Sequence, residues 1–496
     1  MRLFFFFFLF CIQAAMLQAQ TTGSLRKSQN QKPAAVSSGF VDASSFGFSP
    51  EATGVQNTEA LQKAVDRGGT IMVSQPGTYR VAATVYIGSN TTLVFGDGVF
   101  LKKVDERGSF SHVLVNKGAK TKTYNDHISI IGLNIIVNGI DVRKFEEAYG
   151  LHGQLAFFYI RDLKIERFRC LDLGKKQYGI HVCTFEDILI NDVIIKGEKD
   201  GVHLGRGKRF TISNGVFQTF DDAVALNAHD YSTGNPELGW IENGIVEKCF
   251  DLNAANTTGY FCRILAGAWT DWKPGMEVQQ SDAVVANGRL YRVQVEPDGK
   301  KYTSLTQPTH KSGKMVLDGI TWGVVQEDVT YTAGVRNVVF RDIFLEKPRT
   351  AFSIHFDNDK YSRSYYPGAE VPLQQQLVFD NIRVLHNETK DFLSISTPVD
   401  VVTITNTSFK NNRISFYGNK AMQDYLKTKI NINSCVFTKM GEMELVVNSV
   451  DGKQVVLQTT SNIAVSDEFS AKVSAGNGTI IVVNSDLPGL STATKR

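Results

Sequence analysis

The chain has 496 residues, 42% of them hydrophobic and 21% charged, which is enough apolar content for a packed body in water. Its 53 basic and 50 acidic residues leave a formal charge of +3, and they are interspersed. That balance excludes charge-driven binding to nucleic acid or to an anionic membrane surface.

Residues 1–19, MRLFFFFFLFCIQAAMLQA, read as a secretory signal: one early Arg, an apolar run, and small residues before a cut after Ala19. Bulky Phe10 argues against lipidation at Cys11. A flexible linker is expected over 20–39. No later stretch reaches the roughly 20 apolar residues of a membrane span, so an exported protein, periplasmic or extracellular, is expected. Beyond the signal lie Cys170, Cys183, Cys249, Cys262 and Cys435, each in or beside an apolar strand pattern. They read as core thiols, and no His/Cys spacing resembles a structural zinc site. Helical signals are scarce. NTEALQKAVDRGG at 57–69 has an Asn N-cap, apolar Ala60, Leu61, Ala64 and Val65, and a double-Gly stop.

After this helix the chain reads as short alternating strands punctuated by Gly, Asn and Asp. HISIIGLNIIVNG at 127–139, FEDILINDVIIKG at 185–197 and KRFTISNGVF at 208–217 are variants of one phrase, and further copies run to ININSCVF at 430–437. Asn191 and Asn214 read as one place in two copies, 23 residues apart. A period in the low twenties is a solenoid signature, whereas a β-sandwich would need that spacing to be fortuitous. The expected fold is all-β: a right-handed parallel β-helix over 40–268 and 327–427, its open N-terminal end plugged by the helix.

The same period gives DGVHL at 200–204 and DAVAL at 222–226, the second preceded by Asp221. Parallel strands stack about 4.8 Å apart, so Asp200 and Asp222 are expected at equivalent corners of adjacent coils. Val202, Leu204, Val224 and Leu226 then point inward. His181, His203 and Ala225 form an outward column that Arg263 continues. Two like charges ~5 Å apart at an effective dielectric near 20 repel by ~3 kcal/mol. With Asp221 added, one carboxyl of the three keeps its proton as a general acid and another stays ionised to activate water. The alternative is that Asp221 and Asp222 make ordinary solenoid turns.

On these residues the chain resembles the pectin-degrading β-helix superfamily, and within it the polygalacturonase and rhamnogalacturonase family (glycoside hydrolase family 28). Asp200-Gly201 and Asp221-Asp222 match the family's Asp-Gly and Asp-Asp pairs one coil apart, and FVDASSFGFSPEATGVQNTEALQKAVDRGGTIMVSQPGTYRV at 40–80 resembles the superfamily's capping region. The resemblance implies inverting hydrolysis of a pectic or related plant polysaccharide or oligosaccharide. Asp222 would be closest to the general acid, with Asp200 and Asp221 activating water, and with no cofactor and no metal. Inverting enzymes usually space their acids wider than one rung, and polygalacturonases are a close-spaced exception. Two family features are missing. No Gly-His-Gly exists, leaving Tyr260 near the position of its His and His229 as a loop alternative, and Leu265 replaces the Lys of Arg-Ile-Lys after Arg263-Ile264. Losing that Lys makes a neutral or differently linked glycan credible. His181, His203, Arg263, Tyr260 and His229 are the expected substrate-binding residues.

Residues 269–326 break the coil rhythm with three hairpin-like runs and ANG, PDG and LDG turns, reading as a small inserted β module. Trp322 and Tyr291 suit its core, while Trp269 and Trp272 at its junction are candidate sugar platforms. Residues 428–496 read as final coils or a β cap. Three functions remain open for what is expected to be a monomer: a hydrolase, a polysaccharide lyase using calcium and a Lys or Arg base such as Arg263 or Arg206, and a non-catalytic glycan binder.

Overall fold

The computed structural model describes residues 39–254, 258–295, 298–418 and 427–494. The leader read at 1–19 and nearly all of the linker read at 20–39 lie outside them. From Gly69 onward, strands pair in parallel with the coil before and the coil after, which makes a right-handed parallel β-helix. One strand position can be followed from coil to coil as Ile180, Val202, Val224, Cys262, Phe352 and Leu393. The first two steps are 22 residues each. The next two, to Cys262 and Phe352, are longer because loops leave the coil there, yet the register is kept. Val202, Leu204, Val224, Leu226, Cys262 and Ile264 face inward and are fully buried. Hydrophobic burial along this column is what fixes the register: a one-residue slip would turn each apolar side chain out.

The recurring Asn and Asp have a backbone cause. Asp187, Arg209, Asn243 and Asn337 all take left-handed φ values near +57°, one coil apart, and so do Asp192, Asn214, Lys248, Asp342 and Asn381. Asn and Asp tolerate that conformation better than other non-Gly residues, so each column marks a corner. Asn191 is therefore not the equivalent of Asn214. It pairs with Ser213, and its Oδ1 accepts from both Ser213 Oγ (2.8 Å) and Asn214 Nδ2 (2.7 Å).

The helix runs Gly54–Asp66, three residues ahead of the position read from sequence. Its cap is Thr53, paired with Gln56 in a capping box. Asn57 instead sits inside the helix, and its side chain grips the Ser49 backbone. Leu61, Ala64 and Val65 are buried with the first coils. No described helix is long and apolar enough to cross a membrane. All five described cysteines are buried and unbridged.

Between Leu265 and Val335 the chain leaves the coil and builds a five-stranded, mostly antiparallel sheet: Thr270–Asp271, Ala283–Ala286, Arg289–Val293, Ile320–Gln326 and Lys314–Leu317. It has its own core, with Val278, Tyr291, Val293, Ile320 and Trp322. After Thr428 the coils continue to Thr479–Asn484, closed by the short antiparallel Ala493–Thr494.

Candidate active site

Two adjacent coils deliver three acids, Asp200 from one and Asp221 and Asp222 from the next. Asp200 ends the turn before Val202–Leu204 and Asp222 ends the turn before Val224–Asn227, joined through the Gly201 amide donating to the Asp222 carbonyl (2.9 Å). This stacking leaves one oxygen each of Asp200, Asp221 and Asp222 within 4.8 Å of the others. Asp200 and Asp222 are buried, and the Asp221 side chain is one quarter exposed.

The backbone around the acids is tied down. Asp222 Oδ1 accepts the Tyr260 amide at 2.8 Å. Gly259 makes that approach possible, since its φ is +62° and a Cβ there would come within 2.6 Å of Asp222 Oδ1. Buried Arg349 donates to the carbonyls of Asp221 (2.8 Å) and Thr258 (3.1 Å), and is itself held by Asp251.

Lys199 decides the electrostatics, and the sequence reading passed over it. Its ammonium bonds Asp221 Oδ2 and lies 3.7 Å from Asp200 Oδ1. Its signal was available, because Lys199 precedes Asp221 by the same 22 residues that separate Asp200 from Asp222. Burial alone would raise the Asp200 carboxyl, but the Lys199 charge and the His203 hydrogen bond hold it down at about 2. Asp222 goes the other way. Burial first, then the charges of Asp221 and Asp200, push it well above the carboxylate range. Lys199 resists the deprotonating effect of burial through Asp200, Tyr231 and Asp221, and is held as a cation. The three carboxylates have the spacing of a cation site, and the Lys199 ammonium already supplies the positive charge there.

Two clefts meet at the cluster. The larger, about 730 Å³, is lined by Arg143, Tyr149, Lys199, Asp200 and Tyr231, with Gln280 and Gln294 from the inserted module. The smaller, about 360 Å³, is lined by Asp222, Tyr260 and His355. Asp221, Arg263, Asp357 and Asp359 border both. Arg263 pairs with Asp357 and reaches His355 Nε2 at 3.4 Å, so it stands at the junction. Asp357, despite its burial, is held far down by Arg263 and His355.

The outward column keeps the register read from sequence, His181, His203, Ala225 and Arg263 in successive coils. Its two histidines do not reach the cleft, however. Residues 228–240 fold over them: His181 Nε2 donates to Asn235 Oδ1 (3.2 Å), and His203 Nε2 faces Asp230 (3.4 Å). Both rings are fully buried and touch no substrate space. His229 is buried as well, against Gly267 and beside Trp269, and does not stand in for the missing histidine. Trp269 is 1% exposed with its indole N–H on the Thr330 carbonyl. Trp272 donates to Ser304 Oγ (2.8 Å) and packs on the module's core. Neither lines a cleft at the acids: Trp269 is buried in the main core, and Trp272 packs within the module. Arg206 is far from the acids in its contacts, paired with Asp328 and Glu237.

The three acids lie within the part of the chain that matches a known family. Residues 40–244 match the family described as rhamnogalacturonase A/epimerase, pectate lyase-like. The chain resembles the pectin-degrading right-handed β-helix superfamily. That match supports a carbohydrate-active protein acting on polysaccharides. Among solved structures, a family 28 exopolygalacturonase of Yersinia enterocolitica is similar at 12% identity, covering 90% of this chain and 79% of that one (TM-score 0.42). A surface adhesin of Streptococcus pneumoniae is 12% identical over 87% of this chain and 92% of its own (TM-score 0.46). A mannuronan C-5 epimerase module of Azotobacter vinelandii is 10% identical over 88% and 98% (TM-score 0.39). No curated protein sequence matches significantly.

Proposed function

We propose that the protein is an exported glycoside hydrolase acting on a pectic or related polysaccharide or oligosaccharide. The observation that carries the reading is the meeting of Asp200, Asp221 and Asp222 within 4.8 Å beside the Lys199 ammonium, where burial and the other acids push Asp222 up while Lys199 and His203 hold Asp200 down. Two carboxyls driven apart by their surroundings are what acid and base roles need. A sugar chain lying across the junction would place one unit in each cleft, with the glycosidic oxygen at Asp222. Asp222 donates its proton to that oxygen as the bond to the anomeric carbon breaks. Asp200 and Asp221 accept a proton from the water that attacks that carbon. Arg263 and Tyr260 bind sugar on either side.

A lyase that uses a Lys or Arg base needs that side chain deprotonated at working pH. Lys199 and Arg263 are held as cations by the acids around them and Arg206 is paired elsewhere, so the site favours hydrolysis. The test is turnover on pectic, rhamnogalacturonan and neutral plant glycans, wild type against Asp222→Asn, with reducing ends and unsaturated product read together. New reducing ends without unsaturation, reduced about 10³-fold by the substitution, are expected. Unsaturated product would replace this reading with a lyase, and glycan affinity without turnover would replace it with a binding protein. The anomer released first, followed by NMR, separates inversion from retention.

A further inference from the structure

His203 stands one coil corner from the acids with no access to the cleft; its ring is hydrogen-bonded at Nδ1, while Nε2 has no hydrogen-bond partner. Nδ1–H donates to Asp200 Oδ2 at 2.9 Å, and Nε2 faces Asp230 Oδ2 at 3.4 Å. Tyr178 lies parallel to the ring, 4.1 Å away and tilted by 7°, and His181 meets it edge-on at 4.9 Å. Asp230 is itself immobilised: its Oδ2 accepts from Asn227 (2.7 Å) and its Oδ1 from the Tyr231 amide (2.7 Å). The Tyr178 hydroxyl meets that of Tyr231, 3.2 Å away, at the cleft wall. A buried imidazole stacked on one side and flanked by carboxylates at both nitrogens has one orientation open to it, and so has the carboxylate to which it donates.

We propose that His203 is a positioning residue, which from beneath the cleft holds Asp200 in the orientation that accepts the water proton, with Asp230 and Tyr178 locking its ring. The inference rests on the hydrolase reading. Asp200 Oδ2 is occupied by His203, which leaves Oδ1, without a hydrogen-bond partner and 3.7 Å from Lys199, as the oxygen that takes the proton. The charged and titratable groups around the ring are Asp200 and Lys199 from its own coil, Asp230 and Tyr231 from the covering loop, His181 and His152 beneath, and Arg263 with Asp357 beyond. The covering loop thereby acquires a purpose: it carries Asp230 to the ring.

The experiment compares kcat, KM and the pH profile of kcat for wild type, His203→Leu and His203→Gln on a glycan that the wild type cleaves. His203→Leu should lower kcat about 100-fold with KM within about threefold, and move the acid limb upward by about one pH unit. His203→Gln, which keeps a donor, should recover about tenfold of the loss. Equal kcat in the two variants with an unmoved acid limb would overturn the proposal. If neither variant folds, Asp230→Asn, which keeps the size of the side chain, should lower kcat about tenfold at constant KM; an unchanged kcat would overturn it. If no glycan is cleaved, the hydrolase reading fails on its own account. Ring-nitrogen NMR then decides for His203: an Nδ1–H tautomer lost in Asp200→Ala, which removes the acceptor, supports the proposal, and an Nε2–H tautomer in the wild type overturns it.

Discussion

Asp222 is the residue at which function and stability pull in opposite directions. Its carboxyl titrates above the unfolded value of 3.8 because it is buried beside Asp221 and Asp200. The stability associated with its proton is complete below 3.8 and is lost as pH rises through the folded value. Asn stays neutral throughout, so Asp222→Asn should melt about 2 °C above wild type at pH 8, with the gap narrowing toward pH 4, in parallel calorimetric scans. Asp200 has the opposite sign. Its folded carboxyl is held at about 2, so its contribution is present above 3.8 and is lost as pH falls through 2. Activity should accordingly be bell-shaped in pH, falling on the alkaline side as Asp222 ionises. Lys199→Met should lower kcat about 100-fold and raise the acid limb, read from the same profiles, because it leaves Asp200 and Asp221 without their shared cation.

At the scale of elements, the segment 228–240 and the inserted module form one working unit. The segment brings Asp230 and Tyr231 to the site, and the module fastens the segment. Arg292 donates to the carbonyls of Ser232 and Asn235, Ser281 Oγ accepts the Ser232 amide (2.8 Å), and Gln326 Oε1 accepts the Leu238 amide (3.0 Å). Arg292 is buried with no carboxylate bonded to it among the described residues, and burial pushes its guanidinium down to about 10. Its role is therefore to satisfy backbone carbonyls that the fold of the segment leaves open. Arg292→Met should release the segment: kcat is expected to fall about tenfold, with chymotrypsin nicking 228–240 faster than in wild type. Trp269 and Trp272, read from sequence as candidate sugar platforms, are used for packing instead: Trp269 in the main core and Trp272 on the module's own core. That three of the cleft's lining residues, Gln280, Gln294 and Val295, come from the same module shows what the insertion contributes instead.

At the scale of the whole molecule, stability is a sum over stacked coils, and its centre is aromatic. Phe352 contacts Phe261, Phe340, Phe379 and Phe392, with ring centroids 4.7 to 5.6 Å apart. Phe340 and Phe379 stack in turn at 5.1 Å. Phe352→Ala should cost about 3–5 kcal/mol, measured by urea unfolding, and should also disturb the acid cluster, because Arg349, His355 and Asp357 of the same coil reach it.

Much of this molecule was readable in one dimension. The 22-residue period, the acids at 200 and 222, and the order His181, His203, Ala225, Arg263 follow from residues that repeat at the pitch of one coil, because a parallel stack turns sequence period into adjacency. The same rule pairs Lys199 with Asp221, although only the acids drew attention. What the period could not reach was depth. His181 and His203 point out of the coil as their alternation requires, and are nevertheless buried, because a segment 25 to 60 residues later closes over them and is pinned by a module further on still. The helix cap lies four residues ahead of the one read from sequence for a related reason: Asn57 offers a cap locally, but its side chain is claimed by Ser49. Sequence by itself determined the coil and the meeting of the acids, since both depend on spacing along one repeating path. Only the tertiary structure decided which of the outward residues face the cleft, since exposure is settled by long-range closure of loops that obey no period.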